Sequence, residues 1–499
     1  MTRVSLGRDV PSILAGAADL LVREGIDSYL VGGYIRDTLL GRATSDIDIA
    51  VAGAAPQVAQ KLAEALHGRY VLLDEANGIA RVVVTVGDAA GEAQWHLDIS
   101  TIRGSIEADL SRRDFTIDAM AIDLREAGEG SSASLIDPFQ GKRDLEKRLI
   151  RAVGDTAFEN DPARLIRAVR LAAGYGFTIE GETEVLLSKQ SQLIRQVAGE
   201  RVREELCRIL ASRNAARFLF YLDRLGLLTA IVPELAATKG VEQPREHYWD
   251  VFHHSIETVA ALERLLNREK EIELLALAPH LVPHIEGFEE EIGIGVTRAV
   301  LMKLAALLHD IAKPQTKTME ADGRARFLGH TKEGGAIAGG ILQRLRFSNR
   351  ETGMVQKMIE AHLRLWQMGG DHGMPTRRAI YRYFRDTGDV SIDIMFLTLA
   401  DFLATQGPNL DLTEWRRHCG LMEYVLSQRE EDEALVRPPK LLDGDDLMKI
   451  LGLKPGPKVG ELLEAVREAQ GAGEIATREE ALAFALGRLA EDKPTGKVV

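Results

Sequence analysis

Strand-like sequence stops near residue 145, and that change of pattern divides what this chain can fold into. Before it, SYLV (28–31), DIDIAV (46–51), RVVVTV (81–86) and WHLDIS (95–100) are short runs rich in β-branched and aromatic residues, separated by helical patterns such as VAQKLAEAL. After it, PARLIRAVRLAA, ERVREELCRILAS and TRAVLMKLAALLHDIA carry apolar residues three and four apart, the spacing of amphipathic helices. The expected fold class is therefore α+β, a small mixed head followed by a long all-helical body. At 499 residues the chain is too long for one core, so about three or four domains are expected. Breaks rich in Pro, Gly or charge fall at TKGVEQPREH (238–247) and VRPPKLLDGD (436–445), giving domains over 1–145, 146–237, 247–430 and 437–499. The tail EDKPTGKVV reads as frayed.

No apolar stretch approaches the roughly 18 residues of a membrane span, and MTRVSLGRDV has no secretory pattern. Only two cysteines occur, Cys207 and Cys419, far apart in sequence, as expected of a reducing compartment. A cytoplasmic protein without a membrane partner is the expectation. The net charge of −13 argues against bulk attraction to nucleic acid but not against a local basic surface.

The chemistry is concentrated in VGGYIRDTLLGRATSDIDIAV, residues 31–51. Alternate residues of a strand share a face, so Asp46 and Asp48 present paired carboxylates while Ile47 and Ile49 turn into the core. Two like charges that close call for a cation. Hard oxygen ligands of this kind suit Mg²⁺, which prefers a few carboxylates and substrate phosphates. Upstream, Gly32 and Gly33 allow backbone to approach a phosphate, and Arg36 is placed to hold a triphosphate. By itself a DxD is more often a solvated edge strand; its spacing from GG-x-x-RD selects the metal reading.

GGYIRDTLLG followed by SDIDIAV resembles the nucleotidyltransferase signature of the polymerase β superfamily. More narrowly it resembles the bacterial (class II) tRNA nucleotidyltransferases and their relatives, the bacterial poly(A) polymerases. SRRDFTIDAMAID (111–123) is similar to the family's RRDFT motif, which implies nucleotide contacts for Arg112, Arg113 and Asp114. Asp118 stands where the family usually has Asn. DPARLIRAVRLAA (161–173) resembles the base-recognition helix, in which Asp161 and Arg164 would select the base in place of a nucleic-acid template. From spacing alone, Asp161, Arg164, Arg167 and Arg170 follow at three-residue steps and form a ridge on one side, with Asp161-Pro162 as helix start. A capped helix with an exposed basic stripe fits the same residues. Glu200 and Arg201 would brace the neck. The resemblance implies CTP and ATP as nucleotide partners, tRNA as acceptor and Mg²⁺ as head cofactor.

Two departures bear on the product. The acidic residue that precedes the templating Asp in the family is Asn160 here. Members that complete a CCA end carry a flexible loop with an Arg-Pro element between the segments matching STIR (100–103) and SRRDF (111–115), where this chain has only GSIEADL. Its absence resembles the enzymes that add only the two cytidines. Asp98, in WHLDIS, is the candidate third carboxylate, with a structural role equally compatible. A poly(A) polymerase shares every head motif and is the alternative within the class.

A second constellation lies in the body. His254, the adjacent pair His309-Asp310, and Asp401 resemble the HD domain, whose helices gather such residues around a metal; His330 and His362 match further histidines of a larger HD subset. Imidazole and carboxylate ligands suit Mn²⁺, Fe²⁺, Ni²⁺ or Zn²⁺ and phosphate-ester hydrolysis. A metal-dependent phosphohydrolase with a ligand-binding head is thus an alternative from a different class. His253 should point away from His254 on a helix. DGDDLMKILGLKPGPKVGELLEAVREAQ (443–470) resembles the C-terminal helix pair of the transferases, with Lys458 at a helix start. TRRAIYRYFRD (376–386) mixes Arg with Tyr381, Tyr383 and Phe384, either an RNA contact or an amphipathic surface helix.

Overall fold

A computed structural model describes residues 2–5, 12–88, 91–127, 132–267, 275–369, 373–431 and 439–491. The tail beyond residue 491, and residues 436–438 of the second break, lie outside them. The chain forms two compact units, Met1–Val197 with Arg224–Ala230, and Ala198–Asp223 with Ile231–Val499.

The first unit is built on eight strands: β1 (Thr2–Ser5), β2 (Ser28–Val31), β3 (Asp46–Val51), β4 (Arg69–Asp74), β5 (Ile79–Asp88), β6 (Gly91–Thr101), β7 (Ala121–Asp123) and β8 (Ser132–Ile136), in the order β1-β8-β7-β2-β3-β6-β5-β4. Among the described residues of this sheet only β3 and β6 pair in parallel, so Asp46 stands beside His96 and Asp48 beside Asp98. The alternation is sharp. Ile47, Ile49, Val82, Val84, Leu97 and Ile99 are buried in one core with Val58, Ala59 and Leu62 of the helix Ala55–Ala65. Residues between them turn to the opposite face, which a small cluster with Ile106 and Leu110 covers beside Val31 and Ala50. The helix Arg164–Tyr175 buries Leu165, Ile166, Ala168, Val169, Leu171 and Ala172, and ends at Gly176 in a left-handed conformation. Its start is the expected Asp161-Pro162, set just ahead of the first regular residue, Arg164. Asp161 is extended, and its carboxylate accepts from Ala163 N (3.2 Å), so Asp161-Pro162-Ala163 is a turn leading into the helix.

The second unit is helical, with two short hairpins, Glu291–Gly293 with Val296–Thr297 and Lys317–Met319 with Ala325–Phe327, that interrupt the expected all-helical run. The helix Arg298–Leu308 is buried along nearly its whole length. Buried Lys303 donates to the carbonyls of Leu210 and Ser212 (2.8 Å each) and to Glu263 (2.9 Å), which also accepts from Ala215 N (2.6 Å). The helix Arg377–Thr387 holds the basic-aromatic stretch. Tyr381, Tyr383 and Phe384 are buried. Arg382 reaches Glu468 (2.5 Å), Arg385 reaches Glu464 (2.7 Å) and Arg378 reaches Glu474 (2.7 Å), all on or just after the helix Pro457–Gly471. These arginines are therefore paired within the fold, which favours the amphipathic-helix reading of that stretch. Lys458 lies 3.3 Å from Glu461 on the same helix. Glu200 lies 3.6 Å from Arg346. Among the described residues no helix is long and apolar enough to cross a membrane.

Candidate active site

The strand β3 sets the first site. Asp46 is exposed and Asp48 half-buried, one residue apart on the same face. Gly32 turns the chain with φ 69° and ψ −135°, a conformation essentially restricted to glycine, and Gly33 opens the helix Gly33–Leu39. The turn brings Gly33 N within 3.1 Å of Asp48 Oδ2, which accepts its hydrogen bond. Burial raises the Asp48 carboxyl to about 6, with Asp98 adding to the rise and Arg113 opposing it. A carboxylate so disfavoured, beside an exposed one, fits a divalent cation, because bound positive charge relieves the penalty. Asp98 is engaged differently. Arg81 holds both its oxygens, at 2.6 and 2.8 Å, so the third-carboxylate candidate is an ion pair here. His96 Nδ1 lies 3.1 Å from Asp46 Oδ1.

Arginines gather at the glycine turn. A Cβ on Gly32 would sit 2.7 Å from Arg113 Nη1 and 3.0 Å from Asp48 Oδ2, which measures how closely both crowd the turn. Arg36 is nearly buried; it pairs with Asp118 (2.5 Å) and Asp37 (2.9 Å), and its guanidinium lies 4.5 Å from the Tyr175 ring centroid. Tyr175 donates to Asp37 (2.7 Å). The sequence assigns no role to Asp37, although it is the acid of the RD motif, and Tyr175 carries no local signal. Arg112 turns away, donating to Arg103 O (3.1 Å) and Asp109 (2.8 Å) and closing the short segment between them.

The helix Arg164–Tyr175 is pinned to the segment Arg112–Asp114. Arg167 Nε lies 2.6 Å from Asp114 Oδ2, and Arg167, Arg164 and Arg113 outweigh burial to hold the Asp114 carboxyl below its ordinary range. Arg164 donates to the carbonyls of Arg112 (2.8 Å), Arg113 (3.4 Å) and Ala157 (3.2 Å), and stands 4.0 Å from Asp161. Arg164 and Arg167 are thus drawn onto the segment Arg112–Asp114 and do not form an exposed stripe. Arg170 is half-buried on the same helix.

The second site is a buried cage. His254 Nε2 lies 2.9 Å from Asp401 Oδ1, 3.2 Å from His309 Nε2 and 3.5 Å from Asp310 Oδ2. His309, His330 and His362 each donate from Nδ1 to the carbonyl three residues back, at 2.8, 2.7 and 2.7 Å, so in the neutral ring Nε2 is the acceptor. His330 Nε2 and Asp310 Oδ1 have no hydrogen-bond partner and lie 3.4 Å apart. Burial opposes protonation of His309, but Asp310 and Asp401 overcome it and raise the imidazole to about 10. Burial lowers His362 and His247 to about 4. Anchored tautomers, converging Nε2 atoms and orphaned buried acceptors fit a metal cation. His254, His309 and Asp401 form one compact ligand group, and His309, Asp310 and His362 another. Lys313, one turn after Asp310 and absent from the sequence reading, lies 2.6 Å from Asp310 Oδ2. His253 points elsewhere, 2.8 Å from Asp250.

Comparison with known proteins matches this division. Residues 28–151 match the Poly A polymerase head domain family, 176–239 the "Probable RNA and SrmB- binding site of polymerase A" family, 251–405 the HD domain and 430–485 tRNA nucleotidyltransferase domain 2. The chain is 36% identical to the A-adding tRNA nucleotidyltransferase of Deinococcus radiodurans, over 93% of this chain and 96% of that one. It is 34% identical to the CC-adding tRNA nucleotidyltransferase of Thermus thermophilus, over 92% and 93%. Among solved structures, a CCA-adding enzyme in an apo form matches with a TM-score of 0.61 at 23% identity, covering 98% of this chain and 96% of that one. The chain belongs to the bacterial tRNA nucleotidyltransferase family, in the form that carries an HD domain.

Proposed function

We propose that this chain extends the 3′ end of tRNA from CTP, joining cytidines and stopping before the adenosine. The carrying observation is the juxtaposition, at 3.1 Å, of Asp48 with the Gly33 amide on a strand that also carries Asp46. The RNA 3′ oxygen attacks the α-phosphorus, and the bond to the pyrophosphate oxygen breaks. Asp46 and Asp48 would hold Mg²⁺, whose chemistry when bound is to neutralise charge on the reacting oxygens. Gly32, Gly33, Arg36 and Arg113 receive the triphosphate, with Arg36 kept rigid by Asp37, Asp118 and Tyr175. Asp161 and Arg164 face the base edge as acceptor and donor, while Arg167 and Asp114 lock the turn that carries them. Positioning and charge neutralisation account for most of such catalysis.

The cytidine limit is supported by the segment after Arg103. Ser105 caps the five-residue helix Ile106–Leu110, and Arg112 ties back to Arg103, so no free loop is present to reshape the base pocket for a purine. Adenosine addition is the second reading, favoured by the 36% identity to an A-adding enzyme. Extension of tRNA transcripts ending before, within and after CC, with CTP and ATP singly and together, separates them. CC termini alone support the proposal, and efficient A addition to a CC end overturns it.

The HD cage supports an additional phosphohydrolase activity on phosphate esters at tRNA 3′ ends. His254, His309, Asp310 and Asp401 would hold a transition metal such as Mn²⁺, Ni²⁺ or Zn²⁺, beside His330 and His362. Release of phosphate from a 3′-phosphorylated or cyclic-phosphate end by wild type but not by His309→Ala is the expected result. Cys207 and Cys419 are buried and not joined in a disulfide, which supports the cytoplasmic placement.

A further inference from the structure

The sheet face that carries the carboxylates does not end at β6. Gln94 and His96 continue that face along β6, Val83 and Thr85 lie beside them on β5, and Arg69 pairs with Val83 from β4. The opposite face of these strands is sealed by the helix Ala55–Ala65, but Arg69, Thr85 and Gln94 are exposed. Together with His67 they line a groove of about 520 Å³ that reaches His96, and hence Asp46. None of its eight lining residues is acidic, in a chain of net charge −13.

The direction of the groove decides its occupant. The triphosphate site lies over β2, at Gly32 and Gly33; the carboxylates stand on β3 and β6. Phosphoryl transfer places attacking and leaving oxygens roughly in line through phosphorus. With pyrophosphate leaving toward β2, the attacking hydroxyl must come from the β5–β4 side. We infer that the groove between His67 and His96 binds the last nucleotides of the tRNA acceptor strand and delivers the 3′ hydroxyl to the Asp46–Asp48 pair, an assignment that rests on the transferase reading. Arg69 meets a phosphate, Thr85 and Gln94 supply sequence-tolerant hydrogen bonds, and the rings of His67 and His96 offer flat surfaces for a base. His96, held against Asp46, joins the groove to the reacting centre as a positioning residue.

The test uses the full-length protein and a tRNA transcript lacking its CCA end. Arg69→Ala and Thr85→Glu should each raise the KM for tRNA by about tenfold and leave the KM for CTP within about twofold. Arg69→Ala should also lower the slope of log affinity against log salt by about one, the signature of one lost phosphate contact. Unchanged melting curves certify the fold. A photoreactive uridine at the nucleotide preceding the added cytidines should crosslink to peptides spanning 67–71 or 94–96. Unaltered tRNA KM in both variants, or crosslinks confined to other segments, overturn the groove while wild-type CMP incorporation upholds the transferase reading. A wild-type chain that incorporates no nucleotide overturns both.

Discussion

Replacing Gly32 by alanine tests the geometry of the head most directly. The backbone there has φ 69° and ψ −135°, which costs a residue with a side chain about 1–3 kcal/mol. The new methyl would lie 2.7 Å from Arg113 Nη1 and 3.0 Å from Asp48 Oδ2. To reach ordinary contact Arg113 must retreat by about 0.7 Å and Asp48 by about 0.4 Å. Misplacement of a reacting group by about 1 Å can lower a rate by about 10²-fold. The expected loss in single-turnover CMP incorporation at saturating CTP is therefore about 30- to 100-fold, with a fall in stability of no more than about 3 kcal/mol. Gly33→Ala is the internal control. Its methyl would meet Arg36 Nη2 at 3.3 Å and Asp48 Oδ2 at 3.5 Å from an ordinary helical backbone, and its rate should stay within about threefold of wild type. A Gly32→Ala enzyme that keeps more than about a third of the wild-type rate, or a Gly33→Ala enzyme that falls as far, refutes the claim that this turn sets the position of Asp48.

Asp48→Asn should abolish transfer yet stabilise the metal-free protein. Because the folded carboxyl titrates near 6, above its ordinary value of 3.8, its contribution is lost as pH rises through 6. The variant should gain about 1–2 kcal/mol at pH 8 and nothing below pH 4 in thermal melts; equal stability at pH 8 counts against it. His309→Ala should lose the transition metal measured by elemental analysis of the purified protein while CMP incorporation continues, and metal retained at wild-type stoichiometry contradicts the cage. Lys303→Met strands Glu263 and two carbonyls in the interior and should destabilise by about 3–5 kcal/mol in urea melts. Adding Glu263→Met removes the stranded carboxylate and should recover part of that loss, with the two carbonyls and Ala215 N left unpaired; strict additivity of the two changes disproves the pairing.

What the sequence disclosed was whatever is local. The strands at Ser28–Val31 and Asp46–Val51 begin and end where their apolar patterns do, and the paired aspartates are visible because two residues suffice to define a face. The strand Arg69–Asp74 was not legible, since at the sheet edge it lacks a buried alternation. Ala121–Asp123 is too short to leave a pattern, and Ser132–Ile136 carries two serines. Non-local partnerships were invisible. Tyr175 meets Asp37 across 138 positions of sequence, and Arg164 is held by backbone carbonyls, which no side-chain motif encodes. The stretch 376–386 suggested nucleic acid because its counter-charges lie some 80 to 96 positions away, in Glu464, Glu468 and Glu474. A basic run is an anion-binding surface only if the rest of the chain leaves it unspent.

Under the proposed role of Arg164 in reading the base, its triple anchorage changes how an incoming nucleotide is judged. This guanidinium donates to three carbonyls, so a newcomer gains its hydrogen bonds only by an exchange of partners. A base whose edge returns what the carbonyls gave up is accepted at little net cost. One that returns less is refused by its competitor within the fold, so selectivity is a barter settled before any bond to phosphorus forms.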